Sequence, residues 1–482
     1  MNAAITQLMP LLAILAGATF VLLIGTWWKK INSEALFMLA IVSLVAAIYF
    51  SWQNWLGSVF LPAAPWLAAF ELDNKLALLG IILFAISSGI AIISAHNYVR
   101  ERGQPMPEFL ALVLFAVFGA GVMAVGTNLI VIFIGLETLS LSAYVLAGFN
   151  KGDASSHEAA IKYFILGAVA SAVFLFGIAF YYGATGSVAI LNPSHHVSNM
   201  KMLYMAIGLL FAGLSFKIAA VPFQWWTPDV YQGAPLPVTT FFATTVKAAA
   251  FIMFFRIFDA LYHIPDVNLA GLISVVAVAT MSFGNLAALF QEDIKRMLAY
   301  SSIAHAGYML LAFVFLREDS ASAGQAMIFY LAAYIVMTTG AFSVLAALAG
   351  PSLVERTHIS NVAPLSRASP WLALVFTVFL LSLAGFPPTA GFMAKFYLFR
   401  ATVQNGHTTL VIIAVINSLI SVYYYMRPVV AMYFGEQSFA NSTYEVKSVN
   451  TSYSIVGVII FSAISVILLG LLPSSVLMII GR

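Results

Sequence analysis

The chain has 482 residues, of which 62% are hydrophobic and 8% charged, with a formal net charge of +3. Soluble domains carry about 25% charged residues, so a soluble fold is excluded and the bilayer is the solvent; the small charge, spread over loops, argues for no nucleic acid partner. There is no cysteine, which excludes disulfides, thiolate-ligated iron–sulfur clusters and cysteine zinc sites within the chain and says nothing about compartment.

The predicted elements are apolar runs of about 20 residues, the length that crosses a bilayer as a helix. In chain order they are 3–26, 35–55, 76–96, 108–125, 127–149, 159–183, 201–232, 238–261, 268–290, 295–316, 322–349, 370–402, 407–433 and 453–479, about fourteen transmembrane helices. The first has the apolar stretch of a signal peptide at Leu11 to Ile24 but no basic start, and it runs into Trp27, Trp28, Lys29 and Lys30. That is an interfacial anchor before a basic loop, so the helix is read as uncleaved. The fourth and fifth segments part at Gly126-Thr127-Asn128.

The longest polar stretches, Gly350 to Ser369 and Gly435 to Ser452, are loops, so residues 1–482 form a single membrane domain. The glycosylation-like triplets at Asn441 and Asn450 read as chance matches in such a loop. With the N-terminus outside, the inner loops hold Lys29, Lys30, Arg100, Arg102, Lys151, Lys295, Arg296, Arg356, Arg367, Arg427 and Lys447. The outer side holds Lys75, Lys201, Arg256, Arg317, Arg400 and Arg482. That bias of basic residues places both termini on the outer, periplasm-like face.

Two segments are long and interrupted. The seventh runs Ser215-Phe-Lys-Ile-Ala-Ala-Val-Pro222-Phe-Gln-Trp-Trp-Thr-Pro228-Asp229, the twelfth Leu383-Ala-Gly385-Phe-Pro387-Pro388-Thr-Ala-Gly391-Phe-Met-Ala-Lys395. Proline removes a backbone donor and clashes with the carbonyl of residue i−4, so both should break. Broken backbone at membrane depth is tolerated where it is buried in protein or lines a wet cavity. The breaks lie five helices apart, which suggests two repeats, helices 4–8 (108–261) and 9–13 (268–433). An odd helix number inverts one repeat relative to the other.

Four lysines lie inside apolar runs and no arginine does: Lys217, Lys247 and Lys395 at depth, and Lys162 about one turn inside. A cation at the bilayer centre costs roughly 2.5–3.5 kcal/mol on insertion scales, so each is a functional candidate. Burial brings lysine toward titration near neutral pH, whereas arginine keeps its proton, which points to proton movement. Glu137 is the one acid near the middle of an apolar helix. It is either hydrogen-bonded for packing or ion-paired with a buried lysine, most simply Lys217, in which case moving one partner switches the proton affinity of the other.

Lys217 and Lys395 fall within about two turns of the breaks, where freed carbonyls can solvate an ammonium; the bland alternative is snorkelling to the interface. Lys247 lies too far into its helix to snorkel. Lys162 follows Glu158 by four residues, a spacing that also describes an ordinary surface pair. His305 lies mid-helix, with hydroxyls from Ser301, Ser302 and Tyr308 on adjoining turns, which suits a proton relay as well as a satisfied core histidine. His195 and His196 lie in a loop without a partner at metal-site spacing. No Walker loop, dinucleotide fingerprint or HExxH motif is present, facing histidines for haem are lacking, and no redox centre is visible.

Three stretches carry a resemblance: Trp226-Thr-Pro-Asp-Val-Tyr-Gln-Gly-Ala-Pro235, Lys295-Arg-Met-Leu-Ala-Tyr-Ser-Ser-Ile-Ala-His305 and Leu383-Ala-Gly-Phe-Pro-Pro-Thr-Ala-Gly391. With them, nearly the whole chain resembles the antiporter-like membrane subunits of respiratory complex I, the proton-pumping NADH:quinone oxidoreductase, and its N-type branch in particular. The resemblance implies an all-α polytopic protein of the bacterial inner membrane with fourteen helices, two inverted five-helix repeats and broken helices 7 and 12. It implies one proton channel of the membrane arm, a translocase subunit driven by electron transfer from NADH to quinone elsewhere.

Carried over by position, its proton path falls on Glu137, Lys162, Lys217, Lys247, His305 and Lys395. Gln224 stands where related subunits often carry histidine, and a long lateral helix like that of the L subunit is not expected. No cofactor is expected in this chain; FMN, iron–sulfur clusters, NADH and quinone (ubiquinone among them) belong to partner subunits, and the M and K subunits are the expected neighbours. Three other readings stay open: a subunit of a multisubunit cation/proton antiporter, a subunit of a related hydrogenase-linked complex, and a structural anchor that conducts nothing.

Overall fold

The computed structural model describes residues 2–28, 32–57, 69–190, 197–264, 266–349, 355, 357–435 and 452–480. Lys29, Lys30, His195, His196, Arg356, the triplets at Asn441 and Asn450, Lys447 and Arg482 lie outside the described residues. The six leading segments form α1 (Asn2–Trp27), α2 (Ser33–Trp55), α3 (Lys75–Glu101), α4 (Met106–Val125), α5 (Leu129–Ala147) and α6 (Ala154–Thr185). The seventh is α7 (Met200–Ile218) followed by the short α8 (Trp226–Gly233). The eighth is α9 (Leu236–Phe241), a π-helical turn (Phe242–Val246) and α10 (Lys247–Tyr262).

Then come α11 (Ala270–Ala288), α12 (Ile294–Met309) with its short continuation α13 (Leu311–Val314), and α14 (Ser320–Ala349). Two one-turn helices, α15 (Ile359–Val362) and α16 (Leu365–Ala368), lead to the interrupted pair α17 (Pro370–Ala384) and α18 (Ala390–Gln404). The chain closes with α19 (Thr408–Phe434), α20 (Tyr453–Leu471) and α21 (Pro473–Ile480). Among the described residues thirteen spans are long and apolar enough to cross a membrane, and the interrupted α17–α18 segment supplies the fourteenth crossing. The last apolar run, expected as one helix, is divided between Leu471 and Pro473, because proline supplies no backbone donor for continuing the α20 ladder.

Local sequence sets the helix starts. Asn32, Asn74, Asn128, Asp153, Asn199 and Asp293 each cap a helix by accepting a hydrogen bond from a backbone N–H of its first turn, the geometry short polar side chains favour. The expected split between the fourth and fifth segments falls at Gly126–Asn128, between α4 and α5. Those helices then pack in close contact. A Cβ on Gly119 would lie 2.6 Å from the Gly135 carbonyl oxygen, and one on Gly135 would lie 2.8 Å from that of Gly119. In a bilayer small residues provide the backbone approach that a hydrophobic driving force would provide in water.

Burial is graded. The most apolar 18-residue stretch of α9–α10 is entirely buried, that of α12–α13 94% and of α14 89%, against about a third for α1, α2, α6, α19 and α20. α14 touches α3, α9, α17, α18 and α20 and so ties the two ends of the chain together. The outer helices turn apolar side chains such as Phe20, Met38, Val45, Val169 and Leu419 outward, as lipid-facing surfaces do.

One expectation is overturned here. No arginine was expected inside the apolar runs, yet Arg256, counted on the outer side, is buried at 6% exposure within α10. Its guanidinium donates to the carbonyls of Ala124 and Gly126 and is ion-paired with Glu71. The α4–α5 elbow leaves carbonyls for a planar fork of donors to fill, and Glu71 compensates the charge.

Candidate functional site

The first break follows Ile218. Ala219 takes a left-handed conformation at φ 61°, and the freed backbone is satisfied locally: Ala220 N–H donates to the Ser215 carbonyl and Val221 N–H to the Thr280 hydroxyl of α11. The Trp226 indole N–H reaches the Phe216 carbonyl at 2.9 Å, joining α8 to the end of α7. Lys217, 3% exposed, donates to the Ser140 hydroxyl at 2.7 Å and lies 5.2 Å and 5.4 Å from the rings of Tyr144 and Tyr163. Such faces attract an ammonium.

The expected Glu137–Lys217 ion pair is not formed. Glu137 instead accepts a 2.5 Å hydrogen bond from Ser171 of α6. Ser140 is the physical reason: one turn beyond Glu137 on α5, its hydroxyl occupies the position beside the ammonium. Among the described residues the side-chain oxygen of Gln224, 1% exposed, has no hydrogen-bond partner, nor have the hydroxyls of Ser215, Thr227 and Tyr163. Buried polar groups of this kind take ordered water.

Lys247 follows directly on the π-helical turn, an irregularity often found at functional sites. It is 2% exposed, and its ammonium donates to the carbonyl of Ser302 at 2.6 Å and to the Ser302 hydroxyl. Ser302 and His305 share a face of α12. His305 Nδ1 lies 2.7 Å from the Tyr330 hydroxyl, and Nε2 lies 3.2 Å from that of Tyr425, which also bonds Ser301. The relay hydroxyls read from sequence are thus only part of the arrangement: Ser302 serves Lys247, Tyr308 stacks edge-on to the imidazole, and the direct partners Tyr330 and Tyr425 come from α14 and α19. Both Lys247 and Lys395 lie within electrostatic range of His305.

The second break solvates its lysine as expected. The Lys395 ammonium donates to the freed carbonyls of Ala384 at 2.8 Å and Leu383 at 3.3 Å, and to the Ser418 hydroxyl at 2.8 Å. Gly385 makes this possible. Its φ is +93°, and a Cβ there would sit 3.2 Å from the Lys395 ammonium. Gly385→Ala should therefore cost roughly 1–2 kcal/mol of backbone strain and crowd the Lys395 side chain against its carbonyls; lowered thermal stability together with lowered turnover is the expected result. Beyond Lys395 an apolar groove of about 540 Å3 lies between α18 and α19, walled by Phe392, Phe396, Phe399, Val411 and Val415.

Lys162 is 41% exposed at the start of the membrane span. It pairs with Glu158 at 2.6 Å, as its spacing predicts, and with Asp229 at 2.7 Å, which spacing does not predict. Asp229 also receives Arg296 at 2.7 Å. Sequence reasoning missed two further residues. Lys295, expected in an inner loop, is 1% exposed and held 2.5 Å from Glu355. Its place at the start of a helix looks interfacial until the Glu355 carboxylate, 60 positions away, is set against it; the repeat of 295, 302 and 305 on one face was the available signal. Among the described residues, no group of three or more His, Asp or Glu is arranged to hold a metal ion.

The family described as NADH:quinone oxidoreductase/Mrp antiporter, TM, matches residues 126–421. The NADH-quinone oxidoreductase subunit N of Trichlorobacter lovleyi is 40% identical over 413 residues, 84% of this chain and 82% of that protein. The F(420)H(2) dehydrogenase subunit N of Methanosarcina mazei is 37% identical over 445 residues, 89% of each chain. A chain of respiratory complex I from Thermus thermophilus superposes with a TM-score of 0.81 at 33% identity, covering 97% of this chain and 98% of its own.

Proposed function

The chain belongs to the NADH:quinone oxidoreductase/Mrp antiporter family of membrane subunits, and from that premise we propose that it is a proton-translocating subunit in the membrane arm of a respiratory NADH:quinone oxidoreductase. It acts as part of a translocase whose electron chemistry, with flavin, iron–sulfur clusters, NADH and quinone, belongs to partner subunits. It lies in the bacterial inner membrane with both termini on the periplasmic side, beside the M and K subunits, and is built from two inverted repeats, 108–261 and 268–433.

One observation carries the reading. Lys217, Lys247 and Lys395 are each at most 5% exposed, and none has a carboxylate within ion-pair range among the described residues. Hydroxyls and carbonyls hold them instead. A buried cation without a counter-ion is expensive and persists where the charge is meant to come and go. Glu137 and Lys217, held apart by Ser171 and Ser140, are poised as a switch. Approach of the carboxylate stabilises the ammonium; withdrawal favours the neutral amine and the proton leaves.

From Lys217 the proton passes to Lys247, then by Ser302 and His305 with its tyrosines to Lys395 at the second break. Lys162, in its ion-pair cluster, loads Lys217. Moving one charge against 100 mV costs ~2.3 kcal/mol, and a two-unit change in the proton affinity of the switched lysine supplies ~2.7 kcal/mol, so the switch is adequate in size. Lys217→Arg keeps the charge and the packing but holds its proton; quinone-linked pumping in membranes should fall by roughly tenfold or more, and pumping at full rate would refute a titrating lysine. A second reading, the same path driven by another electron-input module, is favoured by the relative named for F(420)H(2). Copurification of flavin and iron–sulfur proteins that oxidise NADH separates the two.

A further inference from the structure

A polar cavity of about 450 Å3 opens at the end of the molecule where α6 and α12 begin. Besides Glu355, its charged lining is Asp153, Glu158, Lys162, Asp229, Asp293 and Arg296. Glu355 differs from these because it reaches through the wall. One carboxylate oxygen accepts hydrogen bonds from the Tyr98 hydroxyl at 2.5 Å and the Leu236 N–H at 2.7 Å; the other lies 2.5 Å from the Lys295 ammonium. The Lys295 side chain is 2% exposed and takes no part in the lining. It also donates to the Ala234 carbonyl at 2.6 Å. Arg102 lies over the Tyr98 ring at 3.6 Å. Glu355, contacted from α3, α9 and α12, is therefore the boundary between the cavity and a buried ammonium.

Lys295 begins a face of α12. Ser302 follows two turns on, about 10 Å along the axis, and His305 one turn beyond that. Ser302 is the residue that holds Lys247. Tyr231 of α8, next to the cavity-lining Gln232 and Gly233, also approaches the Ser302 hydroxyl. A buried ammonium, hydroxyls and an imidazole thus lie in sequence from the cavity toward Lys247.

We infer that Glu355 and Lys295 form a second proton inlet, delivering protons from this cavity to Lys247 and His305 without passage through Lys217. The inference rests on the proton-translocation reading above. The step is proton exchange alone. Water in the cavity protonates the Glu355 carboxylate, the Lys295 ammonium gives its proton onward along the α12 face, and the Glu355 carboxylic acid returns one to the Lys295 amine. Lys162, paired with Asp229 and Glu158 in the same cavity, heads the route to Lys217, so one vestibule serves both.

The test uses the assembled complex in closed membrane vesicles and measures quinone-linked proton uptake. Glu355→Gln alone leaves Lys295 as an orphaned cation and can prevent folding, so the informative variant is Glu355→Gln/Lys295→Gln, which removes both charges. It should assemble, pump roughly tenfold more slowly, and recover progressively as the medium on the cavity side is acidified, because proton supply has become limiting. Full pumping in this variant, with Lys247→Ala still impaired, overturns the inlet and leaves the proton-translocation reading standing. Full pumping in both overturns that reading itself. A loss with an unchanged pH profile means that Glu355 only ties α3, α9 and α12 to one another, and the inlet is wrong.

Discussion

Lys247→Ala is expected to stop quinone-linked proton pumping, by at least roughly tenfold, while the complex still assembles. The two outcomes separate because of how the ammonium is held. Lys247 is bonded to the carbonyl and hydroxyl of Ser302 and, among the described residues, to no acid. Alanine at this site removes a buried charge without orphaning a partner charge, so the penalty of an uncompensated buried ion does not arise. The most apolar stretch of the span that carries Lys247 is wholly buried, and this lysine stands between the two breaks, where Lys217 and Lys395 sit. The pumping assay in sealed vesicles, paired with native-gel quantification of the complex, reads both quantities. Normal pumping with normal assembly would mark the chain as a structural anchor.

Glu71→Ala should have the opposite signature, loss of the assembled protein. Arg256 is buried and ion-paired with Glu71. Its other contacts are the Ala124 and Gly126 carbonyls at the α4–α5 elbow, and Asp259 acts on it only at longer range, so the direct ion pair is lost once the Glu71 carboxylate is gone. Breaking such a pair costs on the order of 3 kcal/mol, roughly a hundredfold in an equilibrium. The double variant Glu71→Leu/Arg256→Met removes both charges and should recover much of that loss. Thermal stability and abundance of the membrane complex measure both. Equal stability of Glu71→Ala and the unmodified protein would mean that the carbonyls alone suffice for Arg256.

The sequence was most legible where one physical rule dominates. Proline and glycine punctuation located both breaks, because a missing donor interrupts a helix whatever surrounds it. The cost of charge in hydrocarbon singled out Lys217, Lys247 and Lys395, and all three are buried. Legibility failed where the answer depends on a partner distant in the chain. Tyr425 lies 120 positions from the His305 it bonds, and Asp229 lies 67 from Lys162. Lys295 was counted in an inner loop and Arg256 on the outer side; the carboxylates of Glu355 and Glu71, both distant in the chain, are what allow their burial.

Composition and hydropathy by themselves therefore determined that this is a membrane protein of about fourteen helices with two broken ones and a set of buried lysines, because the bilayer penalises every exposed polar backbone group and charge locally, residue by residue. Only the tertiary structure decided which groups meet. It placed Ser140 rather than Glu137 against Lys217, joined Lys247 to His305 through Ser302, and buried Lys295 behind Glu355. A hydrogen bond is settled within about 3 Å, and no one-dimensional pattern sets that distance between segments that only packing brings together.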